Sequence, residues 1–76
     1  MNEITLKSYE PGMRKISLTK LLQARLALPL SAAKGAVDAL LEGRMVKLSV
    51  PDGVDVKALA EEVRQLGAVC EIADRP

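Results

Sequence analysis

Hydrophobic periodicity switches between two values in six successive segments of this 76-residue chain, and this constrains the possible folds more than any other feature. In three segments, apolar residues occupy every second position, which is typical of a strand buried on one face. In the other three, they recur every three or four positions, as on one side of a helix. The predicted order is strand, helix, helix, strand, helix, strand.

The first strand and the first helix have different boundary signals. Ile4 and Leu6 alternate with polar residues from 3 to 8, and a turn signal follows at 9–12. The helix start is weakly marked, at Lys15 or at a capping Ser17. Pro29 ends the pattern, because it has no backbone N–H and biases the preceding residue away from helix. The apolar stripe of this first helix comprises Leu18, Leu21, Leu22 and Leu26.

The second helix has the strongest pattern in the chain. Ser31 is its predicted N-cap, and Gly43 is suited to the position just after its end. A second strand is predicted over 45–50, where apolar and polar residues alternate again. The helical stripe comprises Ala33, Ala36, Val37, Leu40 and Leu41.

The last helix and strand complete the pattern. Asp55 is the predicted N-cap of the third helix, and Gly67 ends it. A short strand follows over 69–72, with Cys70 directed inward as a core residue. The tail at 73–76 is expected to fray.

These elements predict an α+β fold. Half-buried strands combined with one-sided helices favour a two-layer β-α-α-β-α-β sandwich, with a three-stranded, mainly antiparallel sheet and all three helices on one face. The length corresponds to a single domain spanning 1–76.

The composition argues against several classes of function. The chain has no His and one Cys, Cys70, so neither a typical zinc site nor a histidine-activated nucleophile can be built. Its five glycines stand apart and form no phosphate-binding loop. We therefore expect a non-enzyme with no cofactor, metal or small-molecule substrate. No apolar run is long enough for a membrane span, and the unpaired cysteine is typical of a cytoplasmic protein.

Charge is unevenly distributed along the chain. Between Pro11 and Val37 there are five basic residues and no acidic one, whereas Asp52 to Arg75 contains six acidic and three basic residues. The net charge is only +1, so the mean conceals a polarised molecule. A basic face on a small domain indicates binding to an acidic partner.

Helical geometry identifies candidate contact residues within the basic segment. At 100° per residue, Lys20 points away from the apolar stripe of the first helix, and Ile16 lies on the same outer side. Together with Lys15 and Lys34, they form the predicted partner-binding site. Two interpretations of Ile16 remain open at this stage: an exposed apolar anchor among cations, or a residue of the first turn that packs into the core.

The sequence resembles the C-terminal domain of the bacterial large-subunit ribosomal stalk protein. The similar segments are 15–20, 28–34 and 54–72, the last ending in Leu-Gly-Ala-Val-Cys-Glu-Ile, and they extend over nearly the whole chain apart from a few extra residues around 43–49. This resemblance implies the same order of elements. It also implies recruitment of translational GTPases by the first two helices, which use lysines and exposed aliphatic residues against acidic surfaces.

The resemblance extends to individual positions. The contact lysines of that family match Lys15, Lys20 and Lys34, and its exposed aliphatic residue matches Ile16. Other positions differ: Thr19 replaces an aliphatic contact, Gln23 replaces an arginine, and Ala-Leu-Pro at 27–29 replaces a flexible glycine-containing break. Because the dimerisation segment and hinge of the stalk protein have no counterpart in this sequence, we expect a free-standing relative of the domain.

The residues also suggest two other binding functions. The basic helices could bind RNA through phosphate contacts, although Tyr9 is the only aromatic residue available for stacking on bases. The chain also resembles the Clp-protease adaptor for N-terminal degrons around 9–11 and 42–44. In that family, acids bind the substrate amine, and their positions are occupied here by Leu6, Lys7 and Ser8. The pocket histidine is missing too, so degron recognition is not expected.

Overall fold

A three-stranded sheet forms one layer of the molecule in a computed structural model that describes residues 2–74. The strands are β1 (Asn2–Tyr9), β2 (Val46–Val50) and β3 (Ala68–Asp74), in the order β2-β1-β3. Both pairings of the central strand β1 are antiparallel. The predicted α+β architecture is confirmed, and the sheet is antiparallel throughout.

Three helices form the second layer: α1 (Lys15–Leu26), α2 (Leu30–Leu41) and α3 (Val56–Gln65). They cover the sheet face to which Ile4 and Leu6 point, and both of these side chains are fully buried. The opposite face carries polar residues, with Thr5 of β1 paired between Lys47 and Glu71. The alternation in the sequence therefore separates a buried sheet face from a solvated one.

The core between the two layers is aliphatic. Each helix contributes one buried side, as the periodicity predicts, and no buried polar or charged side chain occurs in the described part of the chain. Leu18 and Leu22 of α1, Leu40 of α2, and Leu59 and Val63 of α3 are at most 1% exposed. The helices are held by these apolar contacts, so their outer sides are available for other roles.

Segment 10–14 connects β1 to α1 and is attached to the end of α3. The Glu10 N–H donates to the Gly67 carbonyl at 2.8 Å, and the Arg14 N–H donates to the Leu66 carbonyl at 2.9 Å. Gly67 has a φ of +98°, which favours glycine. The start of α1 is therefore fixed against the rest of the domain.

Several element boundaries differ from the prediction. Helix α2 begins at Leu30 with Pro29 as its N-cap, so Ser31 lies inside the helix and the prediction that it caps α2 is wrong. Helix α1 starts at Lys15, the earlier of its two candidate positions. Strand β3 continues through Ala73 and Asp74, two residues of the predicted frayed tail, and residues 75–76 lie outside the described part of the chain.

Candidate functional site

A groove of ≈ 300 Å³ runs between the outer sides of α1 and α2. We call it the α1–α2 groove. One wall is formed by α1 and contains Lys15, Ile16, Thr19, Lys20 and Gln23. The other wall is formed by α2 and contains Leu30, Lys34, Val37 and Asp38.

All four residues of the predicted site lie along this groove. On α1, Lys15, Ile16 and Lys20 fall on the side away from the buried Leu18 and Leu22. Lys34 reaches the same groove from α2. The structure thus brings together residues that the sequence separates by as many as 19 positions.

Two of the three aliphatic residues that line the groove are largely exposed. Ile16 is 67% exposed, which excludes the alternative that it packs into the core. Leu30, at the start of α2, is 59% exposed and lines the same groove. Leu30 was not among the site residues predicted from the sequence. Two features could have indicated it: it lies four residues before Lys34, and it is outside the buried stripe of α2. Both aliphatic side chains are thus exposed in the groove that the three lysines also line.

The groove lysines have no ionic partners among the described residues. Other basic residues of the described chain do form ion pairs, and none of these pairs involves the groove. The pairs are Lys7–Glu71 at 2.8 Å, Arg25–Glu62 at 2.6 Å, Arg44–Glu42 at 2.5 Å and Arg64–Glu61. Lys15, Lys20 and Lys34 are therefore exposed cations that form no ion pair with any residue of 2–74.

The helix termini add to the positive potential around the groove. Neither α1 nor α2 has a side-chain N-cap hydrogen bond or an acidic residue in its first turn. The unpaired N–H groups of a helix N-terminus carry a partial positive charge. The first residues of both helices, Lys15 and Leu30, line the groove.

The groups with shifted pKa values lie outside the groove. Partial burial raises the pKa of the Cys70 thiol, which donates a hydrogen bond to the Ala60 carbonyl at 3.6 Å. The hydrogen bond from Lys7 lowers the pKa of Glu71 on the solvated sheet face. Cys70 packs against the core, as predicted, and neither group offers reactive chemistry near the groove.

Other surfaces of the described chain are less distinctive. A second hollow of ≈ 360 Å³ between α1 and α3 contains one lysine, Lys20, and one acid, Glu62, so its charges balance, whereas the α1–α2 groove has three lysines. Within residues 2–74, no group of three potential metal ligands is present. None of the helices in this range combines the length and apolar character needed to cross a membrane.

No model of a known protein family matches this sequence, and no curated protein matches it either.

Proposed function

We propose that this chain is a non-catalytic protein-binding module that holds an acidic protein surface in the α1–α2 groove. One observation carries the proposal: an exposed aliphatic residue, Ile16, lies in a single groove with three lysines that form no ion pair within residues 2–74. An apolar anchor surrounded by charged groups is a common composition for a protein interface.

The two kinds of residue contribute differently to binding. Complete burial of an isoleucine side chain is worth about 1.5–3 kcal/mol. Since Ile16 is 67% exposed, its burial by a partner would contribute about 1–2 kcal/mol. Each lysine at the rim contributes about 1 kcal/mol or less, but together the lysines accelerate encounter with an acidic surface. The affinity should thus depend mainly on Ile16. The association rate and its sensitivity to salt should depend mainly on the lysines.

The resemblance to the ribosomal stalk domain supports a specific class of partner. The matching positions are Lys15, Ile16, Lys20 and Lys34, all of which line the groove. On this basis, we propose a translational GTPase as the partner and the bacterial cytoplasm as the location. The degron-adaptor alternative gains no support, because Leu6 is fully buried and Lys7 pairs with Glu71.

Charge reversal tests the lysine contribution. The variant Lys20→Glu/Lys34→Glu should bind purified bacterial translational GTPases about tenfold more weakly or worse, mainly through a slower association rate. The matched control is Lys47→Glu/Lys57→Glu, because these lysines are also exposed and lie outside the groove. Surface plasmon resonance at two salt concentrations measures both rates. Equal losses in the two variants would show that only net charge matters and would refute the proposed site.

An apolar substitution tests the anchor. Ile16→Ser should weaken the same binding by about 5- to 30-fold, the equivalent of 1–2 kcal/mol. Met45→Ser is the control, since Met45 is 62% exposed and lies outside the groove. Both variants should unfold at the same temperature as the parent protein. If ribosomal RNA binds instead, with a steep loss at higher salt and no dependence on Ile16, the RNA-binding alternative is favoured.

A further inference from the structure

The α1–α2 groove is not uniformly basic. Asp38 is the acidic residue of its lining and lies on the α2 wall, four residues after Lys34. Its side chain is exposed and has neither an ion pair nor a hydrogen bond to any residue of the described chain. On a helix, a lysine followed by an acid at this spacing is the less favourable order, so a strong pair with Lys34 is not expected.

Asp38 makes the two walls of the groove electrically different. The α1 wall presents Lys15 and Lys20 as its charged groups, whereas the α2 wall presents Lys34 and Asp38. Four residues along a helix correspond to about 6 Å of axial rise. The charge on the α2 wall therefore changes from positive to negative over about one helical turn.

The direction of this change follows from the connection between the helices. Only residues 27–29 link α1 to α2, so the end of α1 lies beside the start of α2. Lys34 is thus nearer this connection, and Asp38 is nearer the end of α2. The start of α1, with Lys15, correspondingly lies toward the end of α2. Asp38 therefore faces a wall that bears lysines, and it is the one negative charge among the described residues that line the groove.

We infer that Asp38 fixes the direction in which a partner segment lies in the groove. The segment carries acidic residues toward the lysines, an apolar residue over Ile16, and a basic side chain that pairs with Asp38. An acidic residue at that last position would be repelled, and such repulsion contributes to specificity as much as attraction does. This inference rests on the proposed function of the groove.

A random 15-residue peptide display library, selected against the full chain, provides the probe. Enriched peptides should contain acidic residues, one apolar residue and a basic residue at a constant spacing from it. One such peptide is then synthesised. Asp38→Asn should weaken its binding about two- to fivefold, and Asp38→Lys about 2- to 30-fold. Changing the basic residue of the peptide to glutamate should restore binding to the Asp38→Lys variant.

Two controls separate the possible outcomes. Asp52→Lys makes the same charge change at an exposed turn outside the groove and should alter binding less than about twofold. Two results together would overturn the inference and leave the proposed function intact: the selected peptides are acidic but have no fixed basic position, and they bind the Asp38→Lys variant as tightly as the parent protein or more tightly. A library without acidic binders, or peptides that still bind Lys20→Glu/Lys34→Glu, would overturn both.

Discussion

Replacing Gly67 by alanine tests the contact that fixes the start of α1 and therefore one end of the groove. A Cβ atom at this position would lie 2.9 Å from the Met13 Cα and 3.3 Å from the Met13 Cβ. Carbon atoms in favourable contact are about 3.5–4.0 Å apart. The 10–14 segment cannot simply retreat, because two backbone hydrogen bonds attach it to Gly67 and Leu66.

The expected loss of stability has two components. The φ of +98° at Gly67 is unfavourable for a residue with a Cβ and costs about 1–2 kcal/mol. Steric overlap with backbone in a packed region costs about 1–3 kcal/mol more. The total of about 2–5 kcal/mol is a large share of the stability of a domain this size, which is about 4–11 kcal/mol at 0.05–0.15 kcal/mol per residue.

Gly53→Ala is a matched control that removes the steric component. Gly53 has a similar φ of +91°, but nothing lies within 4 Å of a Cβ built there. This variant should lose only about 1–2 kcal/mol. Urea denaturation followed by far-UV circular dichroism measures both losses, since the chain has no Trp for fluorescence. Equal losses in the two variants would refute the close approach of Gly67 to Met13.

Two further predictions concern the ends of helices. Ala27 has a φ of +54°, so Ala27→Gly should stabilise the protein by about 0.5–1 kcal/mol in thermal unfolding. The control Ala24→Gly, inside α1, should destabilise it by about 1 kcal/mol. A loss of stability in both variants would contradict the left-handed conformation at Ala27. Asp55 accepts hydrogen bonds from the Lys57 and Ala58 N–H groups at 3.0 and 3.2 Å, so Asp55→Ala should lower the free energy of unfolding in urea by about 0.5–2 kcal/mol. Ser31→Ala should change it by less than about 0.5 kcal/mol, because the Ser31 side chain does not cap α2.

The elements were predictable where the deciding interactions are local. Asp55 caps α3 through N–H groups two and three residues away, and the sequence contains both the acid and the helix that follows. The start of α2 was not predictable in this way. Ala27 turns the chain through a left-handed conformation and Pro29 leads directly into the helix, so the helix begins before the capping side chain of Ser31.

Longer-range pairing explains the error in β3. The sequence predicts a strand only over 69–72, where the apolar pattern is clearest. In the structure, β3 pairs with nearly the whole of β1, from Ala68 opposite Tyr9 to Asp74 opposite Asn2. A register shift between Leu6 and Ser8 accommodates an extra residue of β1 within this pairing. The length of an edge strand is set by its partner, which local patterning does not reveal.

Part of the candidate site was predictable from local periodicity, and the rest depends on tertiary packing. Periodicity is sufficient to place Ile16 and Lys20 on the outer side of one helix. It does not show which side of α2 lies next to them, and for this reason Leu30 and Asp38 escaped notice. Their role depends on how two helices pack against each other, and this is decided by buried residues such as Leu22 and Leu40.

The ion pairs of the described chain involve the acidic part of the sequence but not the three groove lysines. Glu61, Glu62 and Glu71 all belong to the acidic part of the sequence, and each forms an ion pair with a basic neighbour. The acidic side of the molecule is therefore partly neutralised within the domain. The three groove lysines form no ion pair with any residue that the structure describes, and they outnumber the single acid of the groove, Asp38, so the groove is positive on balance even though the net charge is only +1. Exposed ion pairs add little to stability, whereas uncompensated cations steer acidic partners over a distance of about 8–10 Å at physiological salt. Added salt should consequently weaken partner association far more than it weakens the fold.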